Sequence, residues 1–158
     1  MDRGRLPNRR SIRLSDFDYT QNRAYFVTIC AMHRLCLFGD LEEGVMTLSA
    51  IGSIVDSAWL DLPNHAPGIT LDAWIVKPNH LHGIVVLPGM PASGSPAATQ
   101  GTGPKPGSLG AVIGGFKGAV SRDVNAGDLT PVRPIWQRNY FERIIRNDRE
   151  LDGTRRYI

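Results

Sequence analysis

Two histidines one residue apart, His80 and His82, open a run of apolar and β-branched residues that extends to Leu87. Side chains alternate across a strand, so both imidazoles share one face while Leu81 points to the other. Two imidazoles one pleat apart can ligate a single cation, and Leu81 can anchor their strand in the core. The same spacing also suits two half-buried histidines bonded to the backbone. His33 and His65 have no spaced partner and read as surface histidines. No Ser-His-Asp pattern, Walker loop, HExxH or paired-carboxylate signature stands out, which removes most hydrolase and nucleotide-binding chemistries.

The elements that must hold this pair follow from propensity and punctuation. Ala24 to Ala31 is rich in β-branched and aromatic residues and predicts a buried strand. Turn signals at Gly39-Asp40 and Glu43-Gly44 predict a short hairpin or irregular excursion within Leu37 to Thr47. Ser49 predicts a helix cap, with Ile51, Ile54, Val55 and Ala58 on one face of a helix that Pro63 stops near Leu62. Ile69 to Val76 and His80 to Leu87 form a hairpin across Lys77-Pro78-Asn79. Ser108 caps a second helix to about Asn125. A strand follows between Ile135 and Ile145, and a last helix opens at Asp148. The order β-α-β-β-α-β-α predicts an α+β, ferredoxin-like split βαβ fold. Its antiparallel sheet carries helices on one face and a separate C-terminal helix.

At 158 residues, with 42% hydrophobic and 21% charged content, the chain reads as one globular domain spanning 1–158. Residues 1–23 read as a basic arm, and the Pro, Gly, Ser and Ala-rich stretch 88–107 as a flexible loop. No run of about 18 apolar residues exists, so no membrane span is expected. The N-terminus lacks the apolar core of a secretory signal. Cys30 and Cys36, in no CxxC spacing, read as free thiols of a reducing cytoplasm. The net charge of +3 says little by itself. Its placement says more, because arginines crowd the first thirteen and the last twenty-six residues. Two basic ends suit a polyanion, and they equally suit a solvated tail and helix face.

Taken together, the motifs resemble those of IS200-like transposases, and most closely the REP-associated tyrosine transposases, a branch of the HUH endonucleases. The resemblance rests on Trp74-Ile75-Val76-Lys77-Pro78-Asn79-His80-Leu81-His82-Gly83-Ile84-Val85. It extends upstream through Arg9-Arg10-Ser11-Ile12-Arg13-Leu14 and Ala24 to Ile29. Downstream it takes in Ser108-Leu109-Gly110, Phe116-Lys117, Trp136 to Glu142, Ile145-Arg146-Asn147, Leu151 and Arg156-Tyr157-Ile158. Nearly the whole chain is covered, except 88–107.

This resemblance implies a metal-dependent single-stranded DNA endonuclease and strand transferase acting in DNA transposition on hairpin-flanked DNA. His80 and His82 would hold Mg²⁺ or Mn²⁺, and no organic cofactor is implied. A tyrosine would form a 5′-phosphotyrosine intermediate, with Tyr157 on the terminal helix preferred over Tyr140. Arg9, Arg10, Arg13, Lys117, Arg138 and Arg146 would contact DNA. The partner would be single-stranded DNA with hairpins. Some relatives exchange their tyrosine helix between subunits, so a homodimer is compatible with the resemblance.

Two departures stand out. The family usually continues beyond Tyr-Ile to an Asn-Pro pair whose polar residue completes the metal site, whereas this sequence stops at Ile158. Arg143 also stands where a histidine is common. These departures predict, as the alternative reading, a truncated, catalytically weak protein that binds DNA hairpins.

Overall fold

The computed structural model of the chain describes residues 22–89 and 104–158. The expectations for a basic arm over 1–21, including Arg9, Arg10 and Arg13, lie outside the described residues. So does most of the expected 88–107 loop.

Strand β1 (Arg23–Cys30) begins one residue before the expected start, so Arg23 belongs to the sheet rather than to the arm. Its alternation sends Tyr25, Val27 and Ile29 to one face and Phe26 to the other. Strands β4 (Thr70–Lys77) and β5 (His80–Leu87) form the expected antiparallel hairpin, with one irregularity between Leu71 and Trp74. β1 pairs antiparallel with β5 on one side and with β6 (Phe141–Ile145) on the other. The order β4-β5-β1-β6 leaves β1 and β4 parallel with β5 between them, which is the split βαβ arrangement.

Helices α1 (Ala50–Leu60) and α3 (Leu109–Ala126) cover one face. Each starts on a serine whose hydroxyl accepts from the first turn: Ser49 from Gly52 N–H and Ser108 from Ala111 N–H. Ile51, Val55 and Trp59 of α1 meet Val112, Ile113, Phe116 and Val120 of α3 in the larger of two buried clusters. Pro63 does not stop α1 as expected. That helix ends at Leu60, and Pro63 sits in the first turn of the short α2 (Leu62–His65), where a missing N–H costs nothing. Between β1 and α1, β2 (Gly39–Glu42) and β3 (Val45–Leu48) form the expected small hairpin. Its turn residues Glu43 (φ 49°) and Gly44 (φ 80°) both take the left-handed conformation of a two-residue turn.

The last helix, α4 (Asp148–Tyr157), lies on the opposite face. Asn147 caps it by accepting from Glu150 N–H, and the Glu150 carboxylate accepts in turn from Arg146 N–H. Leu151 and Ile158 pack against a small cluster of Phe26, Ile84 and Ile145. Among the described residues, the sheet therefore carries a thick structural layer on one side and a single helix on the other. No helix among the described residues is long and apolar enough to cross a membrane.

Gly83 explains how closely the thick layer approaches the histidine strand. A Cβ there would lie 2.3 Å from Cζ2 of Trp59, whose fully buried indole rests directly on the bare backbone between His82 and Ile84. Gly83→Ala should force Trp59 or β5 to shift and cost about 1–3 kcal/mol. Chemical denaturation checks this, and an unchanged midpoint would show that the indole is not held there.

Candidate active site

The face opposite Trp59 is built row by row from the strand register. His82 stands between Ile75 of β4 and Thr28 of β1, and His80 between Lys77 and Cys30. Phe141 is the next residue across from Thr28, and Arg143 lies across from Phe26. Antiparallel partners share a face, so these side chains project to one side together. Leu81 points the other way and is fully buried, as the alternation requires.

The two imidazoles converge, with Nε2 of His80 and Nε2 of His82 3.1 Å apart. Each ring is held from behind. Asn79 Oδ1 lies 2.6 Å from Nδ1 of His80, and its amide Nδ2 donates to the carbonyl of Arg34. That second bond fixes which amide atom faces the ring, so His80 carries its proton on Nδ1 and presents a lone pair at Nε2. Thr28 Oγ1 lies 2.8 Å from Nδ1 of His82. Burial, the neighbouring His80 and Lys77 push the pKa of His82 down to about 4. Burial, Lys77 and Arg34 lower that of His80 as well.

Neutral rings with oriented nitrogens are what a cation needs. Adjacent ligands with bonds of about 2.0–2.1 Å stand roughly 2.9–3.4 Å apart, a range that includes the spacing of this pair. Among the described residues, no third His, Cys, Asp or Glu completes a cluster with them. The donor set fits a divalent ion that keeps other ligands, such as water or a phosphate oxygen.

Tyr157 completes the arrangement from α4. Its ring centroid lies 5.4 Å from that of His82 and 6.0 Å from that of Phe26, and Lys77 Nζ stands 5.8 Å from it. The side chain remains 63% exposed, so one edge is packed while the rest faces solvent. Two polar contacts hold the helix in this pose. Arg155 grips Asp72 of β4 through paired bonds of 2.9 and 2.7 Å, which lowers the pKa of the Asp72 carboxyl. Arg143 donates to the Thr154 hydroxyl at 3.1 Å beneath the helix.

No family model matches the chain. Over 163 residues it is 32% identical to an uncharacterized protein of Haemophilus influenzae, covering 97% of this chain and 87% of that one. A solved REP-associated tyrosine transposase bound to a REP hairpin superposes with a TM-score of 0.62 at 18% identity, over 93% of this chain and 70% of that chain. The chain belongs to one family with the Haemophilus protein and has the tyrosine transposase fold. A candidate transposase from Deinococcus radiodurans shares that fold, with a TM-score of 0.52 at 15% identity, over 92% of this chain and 95% of that chain.

Within this transposase fold the remaining expected residues separate. Tyr140 faces the thick layer, packed against the main core with Lys117 Nζ 6.0 Å from its ring. Lys117 does not stand among the histidines and is only partly exposed. Its ammonium donates to the carbonyls of Gln137 (2.9 Å) and Asn139 (2.6 Å), and burial lowers its pKa. It thus ties α3 to the segment leading into β6. Arg138 and Arg146 are exposed at the two ends of β6. His33 is exposed and His65 pairs with Asp61, as surface histidines do. Sequence reading missed Thr28, Asn79 and the Arg155–Asp72 grip. Asn79 could have been flagged by its place beside His80, but only the register brings Thr28 to His82.

Two expectations follow. By NMR, His82 should titrate near pH 4 instead of near 6.5. An unfolded chain protonates this ring more readily than the folded one, so stability contributed here is complete above about 6.5 and lost as pH falls toward 4. A midpoint at the ordinary imidazole value would contradict the packed geometry. Asp72→Ala should raise amide exchange throughout α4 while leaving global stability nearly unchanged, since the pair is partly solvated. Unchanged exchange in α4 would show that Arg155 is not what holds the helix.

Proposed function

We propose that this protein is a metal-dependent single-stranded DNA strand transferase that works through a 5′-phosphotyrosine intermediate. One observation carries this reading: Tyr157, on its own helix, packs against His82, one of a pair of neutral, oriented histidines on β5. A merely structural histidine pair needs no partly exposed tyrosine beside it. The likeness to a transposase that was solved on a REP hairpin supports DNA as the partner.

His80 and His82 would hold Mg²⁺ or Mn²⁺ at Nε2, where a divalent ion polarises a scissile phosphate oxygen. The chain's own groups do the rest. Asn79 and Thr28 keep the rings turned so that their Nδ1 atoms are spent on second partners. Lys77 adds positive charge next to the tyrosine and draws a phosphate toward it. The Tyr157 oxygen forms a bond to phosphorus and its proton leaves. The bond to the 3′-oxygen breaks, and that oxygen takes up a proton. The phosphodiester energy is retained, so the 3′-hydroxyl of another strand can reverse the step. Arg138 and Arg146, with Arg9, Arg10 and Arg13 ahead of β1, would contact phosphates and position a hairpin-flanked strand. The free thiols Cys30 and Cys36 suit a reducing cytoplasm.

A hairpin oligonucleotide with a single-stranded tail, incubated with Mn²⁺, should yield an SDS-resistant covalent adduct. Tyr157→Phe should abolish it, Tyr140→Phe should leave it, and His80→Ala should reduce its rate by about 100-fold or more. Adducts from the Tyr157→Phe protein would assign the nucleophile elsewhere. Hairpin binding without any adduct from the unaltered chain would make it a binding protein rather than a transferase.

A further inference from the structure

Among the described residues, Phe141 is the one large aromatic of the sheet's histidine face that α4 leaves open. It is 56% exposed, although it sits on a strand in register with a buried sheet. It occupies the same transverse row as His82, with Thr28 between them, so the two side chains stand about 9–10 Å apart, two strand spacings. β6 is an edge strand, and among the described residues no strand lies beyond Phe141 to cover its outer side. Its inner side is supported: the Phe26 ring meets it edge-on, with centroids 6.3 Å apart.

The charge around this ring is positive. Arg143 is exposed two residues along on the same face, its guanidinium 5.9 Å from the Phe26 ring, and Arg138 is exposed just upstream. The acidic neighbours are turned away or engaged. Glu142 projects to the opposite face, Glu150 accepts from Arg146 N–H, and Asp72 is bound by Arg155. A supported aromatic face flanked by guanidinium groups suits a flat, unpaired base on an anionic backbone better than it suits an apolar protein segment.

We propose that Phe141, supported by Phe26 and flanked by Arg143, is a stacking seat for one unpaired nucleobase next to the phosphate held at the histidines. This inference rests on the single-strand reading above and adds where the strand runs: across the sheet, from the histidine pair toward the β6 edge. Stacking tolerates any base, so the seat would set the spacing between cleavage site and hairpin rather than select a sequence.

The test is an abasic scan. Hairpins with a single-stranded tail, each lacking one base in turn, are measured by fluorescence anisotropy at fixed salt in the full chain. One abasic position should weaken binding by about 10-fold, the range expected of one stacked base. Phe141→Ala should weaken binding of the intact tail by a similar factor and erase the penalty at that position alone. Phe141→Leu should behave as Phe141→Ala does, and Phe141→Trp should restore affinity. Circular dichroism of each variant confirms the fold, which an exposed edge position should leave intact. The seat is overturned if Phe141→Ala binds the intact tail as the unaltered chain does, or if the abasic penalty persists in it. It is also overturned if Phe141→Leu binds as tightly as the unaltered chain. Failure of the underlying reading looks different: the unaltered chain would then bind tailed hairpin no better than blunt duplex, and the seat would fall with it.

Discussion

The register between β1 and β5 is the constraint on which the site depends. It sets Thr28 against His82 and Cys30 against His80, and through β6 it sets Phe141 in the same row. A slip of one residue would turn both histidines into the core and bring Leu81 to the surface. Such a slip is opposed from behind, where Leu81, Val85 and Trp59 fill the main cluster and the indole seats on Gly83. The chemistry-bearing face is therefore precise because the opposite face is tightly packed.

The two faces are unequal in composition and in strength. Two capped helices and most of the buried residues make the thick layer. Among the described residues, the other layer is a single ten-residue helix that covers a cluster of three buried residues and is joined to the sheet by Arg155–Asp72 and Arg143–Thr154. Elements with few buried contacts open locally at low cost. On the proposed reading, that pairing of a rigid strand with a lightly held helix suits a tyrosine that must approach a phosphate and later release a strand.

Local sequence carried much of this, and non-local pairing carried the rest. The alternation through His80, Leu81 and His82 and the serine caps were legible because each depends on residues a few positions apart. The strand order followed from the run of elements. Pro63 misled because proline forbids a helix interior but not a first turn, and nothing local says where a new helix starts. Thr28, 54 residues from its partner, could not be found without the register. The bonds of Lys117 to the carbonyls of Gln137 and Asn139, some twenty residues away, are likewise beyond any local pattern. The grip of Arg155 on Asp72, 83 residues apart, is similarly invisible to any local pattern. Tyr157 was reached by family resemblance, since no periodicity marks it.

The Arg155–Asp72 grip is partly solvated, with side chains 45% and 24% exposed, and this ties the helix to the ions around it. Counterions weaken such a pair over a distance of about 8 Å at physiological ionic strength and over less as salt rises. Concentrated salt would thus loosen the tyrosine-bearing element even with no nucleic acid present. On the proposed reading, with a nucleic acid as partner, the same screening would govern two things at once, how firmly the strand is held and how well Tyr157 is aimed. The ionic composition of its surroundings would then act as a tuning variable on geometry and not only on affinity.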